Sequence, residues 1–469
     1  MPFQGQNAGK TGHQDILQNP DIEEFLKAYK DVPRPSAQTL SEVFGDSPAA
    51  SSFTGTLPSL VMAFDGSLYE ASADANEPSR RVGYVKIGLV ALDMDRYLKV
   101  RVPGERFVDP IAVARLQQST AMSMALPSAH MQRKQDTSVT EGYRAQIQRC
   151  YAGDASRIGA SKRTLLDTLV DVLRYGDGHI VEVNGNEYIN VGTCANPECD
   201  QESVQVPLAS HVAACPECGD PAFAVDVLRV HECFIENGSN LESFGRLMSV
   251  TEHLFAAHYI MHLADSSPGL LANMAFVMDG PLSVSGEGAK IARAMVGMLA
   301  SVNKKLAVSG FPPVLVIGLT KTGIAVDHFS SINDSIPEDR AFAVSDAYRY
   351  TYITPRPIET DKRKWPVFGK DFYYGQDVLV KTKRGRQFLV GLAYPWASKG
   401  EAGFQNNRFD LSQYPGMGRT ITLLETLESD LYQNAMVPVI LAHEYASISL
   451  APGGKVLDLA TARAVGVQS

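Results

Sequence analysis

The chain has no apolar run approaching the roughly 18 to 20 residues that span a bilayer, and this excludes a membrane-spanning helix. Its first ten residues, MPFQGQNAGK, lack the apolar stretch of a secretory signal. The expectation is a cytoplasmic chain with no membrane partner. Cysteine is scarce: six in 469 residues, four of them between Cys194 and Cys218. That distribution argues against a disulfide framework and fits a reducing compartment. Basic residues are also in deficit, with 43 Lys and Arg against 52 Asp and Glu for a net charge of −9. On charge alone, a protein that coats nucleic acid is excluded. No internal repeat or low-complexity tract is present.

What remains is an ordinary globular composition, 45% hydrophobic and 20% charged, with enough apolar material for a real core. At about 150 residues per domain, the length allows roughly three domain-sized units. Residues 1–54 read as a polar arm, with one short helix near Asp21 to Tyr29 and prolines beyond it. Order begins near Ser59 with SLVMAF, a strand expected to end at Asp65-Gly66-Ser67, and a β-rich stretch follows from Arg81 to Leu98. These two read as antiparallel neighbours. Residues 99–160 are weakly patterned, Arg163 to Arg174 is helical, and Asn-Gly within Val181 to Val191 marks a hairpin.

Val225 to Val230 reads as a strand, and Asn240 to Ala264 as a long helix. Two buried strands, Met274 to Met278 and Val314 to Leu319, flank a helix from Gly288 to Leu299. A hairpin over Val378 to Ala393 and helices near 419–433 and 438–450 close the chain. Alternating strands and helices predict an α/β fold with a mixed sheet.

Cys194, Cys199, Cys215 and Cys218 form two closely spaced pairs joined by a hairpin-length connection. Each pair supplies two thiolates from one tight turn, which is how a structural Zn²⁺ gains four tetrahedral ligands. The cluster is therefore expected to be a zinc-ribbon insertion over residues 191–224, a platform for nucleic acid or protein contacts. His211 is a possible substitute ligand. Cys150 and Cys233 read as ordinary buried thiols.

A second constellation is acidic. Asp65 and Asp279 each end an apolar strand and precede a glycine, which permits a tight turn and close approach by a ligand. Glu252 lies in a helix whose other positions are mostly apolar, where a charge is costly unless something pairs with it. Two partners are conceivable: Arg246 in a plain salt bridge, or a hard divalent cation, Mn²⁺ or Mg²⁺, shared with the aspartates. His443 follows an apolar helical turn near the C-terminal end. His258 and His262, four residues apart, form a weaker candidate pair.

The order of motifs resembles the NurA nuclease family. FDGS at 64–67, an R-x5-E helix at 246–252, MDGPL at 278–282, GLTK at 318–321 and PVILAH at 438–443 carry the resemblance, over about residues 55 to 450. The resemblance implies an RNase H-like, PIWI-related mixed-sheet core in two parts, residues 55–190 and 225–469, the latter ending in C-terminal helices. It also implies a Mn²⁺- or Mg²⁺-dependent DNA nuclease, a homodimer working with a HerA-type hexameric ATPase in DNA-end processing, repair or antiviral defence. Asp65, Glu252 and Asp279 would be metal ligands. His443 would be a fourth ligand or acid/base, and Lys321 a phosphate contact. The family's tyrosine eight residues before the late histidine is Ala435 here, with Tyr432 three residues further back.

The competing reading is a catalytically inactive DNA-binding adaptor or regulator of the ATPase. For a DNA path, Asp361 to Arg386 holds eight Lys and Arg against three Asp, interleaved with Trp365, Phe368, Phe372, Tyr373 and Tyr374. That pattern suits phosphate attraction and base stacking.

Overall fold

The computed structural model describes residues 14–28, 32–73, 79–100, 112–113, 115–157, 162–284, 289–355, 367–428, 436–448 and 453–465. Among the described residues, thirteen strands form three sheets. They are β1 Leu60–Ser72, β2 Arg81–Asp93, β3 Gln117–Pro127, β4 Ile180–Val183, β5 Asn186–Gly192, β6 Val204–Pro207 and β7 Val212–Ala214. The remainder are β8 Pro221–Phe223, β9 Met274–Asp279, β10 Leu315–Thr320, β11 Arg340–Ala343, β12 Gly375–Lys381 and β13 Gln387–Ala393. The eight-stranded sheet has the order β11-β12-β13-β10-β9-β1-β2-β3. β1, β2 and β3 are an antiparallel meander, β9 lies parallel to β1 and β10 parallel to β9, and β13 returns antiparallel to β10. The mixed α/β expectation holds.

The helices that cover this sheet are α1 Ala37–Gly45, α2 Val139–Ala152, α3 Leu165–Leu173, α4 Leu241–Ser266 and α5 Ala289–Val308, then α6 Met417–Leu427, α7 Val437–Ala446 and α8 Gly453–Val465. α4 packs on one face of β1 and β2, and α7 and α8 cover the other face. α4 also packs against α3 and α5, so it is apolar over most of its circumference. Stacked rings of Phe64 and Phe276, 6.3 Å apart, tie β1 to β9 inside the core. Among the described residues, no helix is long and apolar enough to cross a membrane.

Several sequence expectations change. β1 does not stop at Asp65 but continues to Ser72, because β2 pairs with it along its whole length. The β-rich reading of Arg81 to Leu98 stops at Asp93, and a short helix, Met94–Val100, follows. Residues 99–160 hold β3 and α2, whose apolar positions are diluted by polar neighbours because β3 is an edge strand. Val225 to Val230 is 3₁₀-helical rather than extended: Asp226 caps the turn by accepting from the Phe223 N–H and holds Arg144 in a buried ion pair. Asn184 and Gly185 both adopt positive φ, 53° and 77°, as a two-residue hairpin turn requires.

The arm is anchored at α1, where Leu40 and Phe44 enter a second apolar cluster with Val326, Phe329 and Tyr348. Phe44 is fully buried. Phe44→Ala should lower the unfolding free energy by about 3–5 kcal/mol, measured by urea denaturation. An unchanged midpoint would show that α1 does not dock.

Candidate metal centre

The centre lies where β1 and β9 run side by side. Their parallel register pairs Phe64 with Met278, so the next residues, Asp65 and Asp279, lie adjacent. Asp279 closes β9. The turn beyond it needs Gly280, whose φ is +126°, and whose N–H donates to the Leu319 carbonyl of β10. β10 then delivers Lys321, whose Nζ lies 2.6 Å from Asp279 Oδ2.

α7 approaches from the other side and places His443, half of whose side chain is exposed, with Nδ1 hydrogen-bonded to Asp65 Oδ2 at 2.7 Å. Ligand atoms of Asp65, Asp279 and His443 all lie within 4.8 Å of one another.

Glu252 comes from α4 on the opposite face. Successive strand residues face opposite sides, so Asp65 points toward α7 while Gly66 faces α4. A Cβ on Gly66 would lie only 2.4 Å from Glu252 Oε1, which shows why glycine is required there. Its role is close approach by the glutamate within a continuing strand rather than a turn. Arg246 does not neutralise Glu252, because it pairs with Glu242 at 2.7 Å.

The electrostatics follow from crowding. Burial, reinforced by the nearby Asp65 and Asp279 charges, pushes the Glu252 carboxyl well above the usual carboxylate range. Burial and Asp65 push Asp279 up to about 6, against the pull of Lys321. Two carboxylates and one imidazole converge as possible ligands, with the buried Glu252 carboxyl nearby but outside that group, and Lys321 supplies a neighbouring positive charge rather than a ligand. Such a set fits a divalent cation of the Mg²⁺ or Mn²⁺ type. Asp65, Asp279 and His443 meet directly, with Glu252 beneath them and Lys321 alongside.

The cysteines also converge. Cys194 Sγ lies 3.7 Å from Cys218 Sγ, and Cys199 Sγ lies 3.8 Å from Cys215 Sγ. A disulfide would bring sulfurs to about 2.05 Å. The edge of a tetrahedron with 2.3 Å metal–sulfur bonds is about 3.8 Å. The β5–β6 loop supplies the first pair and the β7–β8 turn the second. His211 is not in this group, and the four thiols suffice.

Other candidates are resolved differently. His258 is committed to Thr168 Oγ1 at 2.8 Å, and its stacking on His262 forms no metal group among the described residues. Residues 361–366, with Trp365, lie outside the described residues, as do Tyr432 and Ala435. The stacking track is not available as read. Tyr374 is fully buried and hydrogen-bonded to His253 Nδ1, Phe368 lies under the Arg349 guanidinium, and Lys381 is buried against the carbonyls of Asn333 and Ile336. Phe372 alone of the described aromatics there is exposed. The expected hairpin is β12 and β13, with the basic residues Lys383 to Arg386 at its turn; what the sequence does not show is where that turn points. Because Thr320 pairs with Leu389, this turn projects beyond the same sheet end as Lys321.

Glu252→Gln tests the crowding. With its pKa raised in the fold, Glu252 favours the folded state when protonated, and that contribution is lost as pH rises through the folded-state value. The metal-free variant should therefore melt higher than wild type at pH 7.5. The difference should shrink toward pH 4, near the unfolded carboxyl pKa of about 4.3. Equal melting temperatures at pH 7.5 would contradict it.

No protein-family model and no curated protein matches this sequence. A solved structure titled "Crystal structure of NurA" is similar over 97% of each chain at 11% identity, with a TM-score of 0.23. At that score the likeness carries no argument about fold or activity.

Proposed function

We propose that this chain is a metal-dependent, NurA-like deoxyribonuclease with an RNase H-like core. The observation that carries the reading is the convergence of Asp65, Asp279 and His443 within 4.8 Å, with Glu252 buried beneath. These are four residues that the ordered motifs single out from distant parts of the sequence. The sheet order supports the same core, an antiparallel three-strand meander with β9 and then β10 added in parallel on the open side of its first strand.

Mn²⁺ or Mg²⁺ held by Asp65, Asp279, Glu252 and His443 would supply water activation and stabilisation of the departing oxygen in phosphodiester hydrolysis. The chain's own groups do the rest. Lys321, fixed by Asp279, is the cation placed to meet a nonbridging phosphate oxygen. His443, hydrogen-bonded to Asp65 with half of its side chain exposed, would act either as the fourth ligand or, if the cation is held by the carboxylates alone, as an acid/base group facing the substrate. Lys383, Arg384 and Arg386, at the same sheet end, supply local backbone attraction that the net charge conceals. Zn²⁺ in the four-cysteine site would hold the ribbon shape without an open position for chemistry. A HerA-type ATPase partner, a homodimer and a cytoplasmic setting belong to the same reading.

Purified protein with Mn²⁺, with and without the ATPase, should degrade labelled linear or single-stranded DNA. Asp65→Ala should reduce the rate at least about a hundredfold while leaving the circular dichroism spectrum unchanged. Intact DNA under every condition would instead favour the inactive adaptor.

A further inference from the structure

The ribbon is electrostatically unlike the end of the sheet that carries the metal centre. Between Val191 and Ala224 the chain carries Glu198, Asp200, Glu202, Glu217 and Asp220, and no Lys or Arg. A divalent ion on four thiolates adds a formal charge of about −2. Such a surface repels a phosphate backbone, so a nucleic-acid platform does not fit it.

At the base of the ribbon a cleft of about 720 Å³ separates the loop 194–198 from the start of α2 and the segment 229–236. That volume falls within the range of ligand sites. Its two arginines are already engaged. Arg144 pairs with Asp226 and donates to the Pro221 carbonyl, while Arg229 pairs with Glu232 and donates to Thr193. Of two rim carboxylates, Asp220 accepts from the Asn196 amide, while Glu236 caps the first turn of α2 by accepting from the Thr140 N–H and hydroxyl; no ion pair to a basic side chain is formed by either among the described residues.

A second observation points to an occupant. His231 lines the cleft and is 6% exposed, yet its Nε2 has no hydrogen-bond partner. A buried polar atom left unpaired is costly unless another group meets it. Burial, helped by the Arg144 and Arg229 charges, holds the ring near a pKa of about 4, so the imidazole is neutral and can pair with an amide or guanidinium group.

We infer that the cleft between the cysteine ribbon and the core is a docking site for an arginine- or lysine-bearing segment of a protein partner, with acidic side chains on its rim and His231 at its floor. The inference stands apart from the nuclease reading, since no cleavage enters it.

The test uses the full chain, loaded with zinc, and a fluorescein-labelled (Gly-Arg)4 peptide. Binding should be saturable, and hydrogen exchange should slow at residues 137–141, 194–198 and 229–236. Exposed Glu198→Lys should weaken binding about tenfold, and His231→Ala should weaken it about threefold, with zinc content unchanged in both. Should His231→Ala fail to fold, the surface variant still decides the matter. A 20-nucleotide single strand should leave these segments unprotected. Peptide protection elsewhere, equal binding by Glu198→Lys, or protection of the cleft by the DNA strand would each overturn the assignment.

Discussion

Mutual repulsion among Asp65, Glu252 and Asp279 is the constraint on which the arrangement depends. Adjacent parallel strands force two aspartates side by side, and a glycine in the first strand admits a glutamate from a helix on the opposite face. Among the described residues, Lys321 pairs directly with Asp279, and His443 hydrogen-bonds to Asp65. A fold selected for stability alone would replace at least one of these acids with a neutral residue. Their crowding, with Glu252 held above its usual ionisation range, is what a site able to hold a cation at the expense of metal-free stability would show.

The surrounding fold serves that junction. β2 continues beside β1 past Asp65, so the aspartate sits on a rigid, doubly paired strand rather than at a fraying end. α4 and α7 grip the strand from opposite faces, one bringing Glu252 and the other His443. Charge is unevenly distributed: the cysteine ribbon holds five acidic side chains and no basic one, whereas the Lys383 to Arg386 turn lies at the sheet end that carries Lys321. A net charge of −9 therefore describes neither surface.

Much of the candidate site was legible in the sequence because each candidate ligand stands against an apolar background. Asp65 and Asp279 interrupt runs of buried strand residues, and Glu252 interrupts a buried helix. The four cysteines declared themselves by spacing. What could not be read were relations set by packing. The glycine after Asp65 suggested a turn, but it is a gap for Glu252. β3 was hidden because an edge strand exposes polar residues, and Asp226 turned an apolar run into a 3₁₀ segment by capping it. The aromatics after Phe368 looked like a stacking track because sequence alone does not distinguish a buried tyrosine from an exposed one.

Mn²⁺ binding to the chelator-treated, zinc-repleted protein, followed by electron paramagnetic resonance, tests the central claim most directly. Wild type should bind Mn²⁺ saturably, and both Asp65→Asn and Asp279→Asn should lose that binding while retaining zinc. Binding that is absent in wild type, or unchanged in the two variants, would contradict the assignment of these carboxylates to a metal centre.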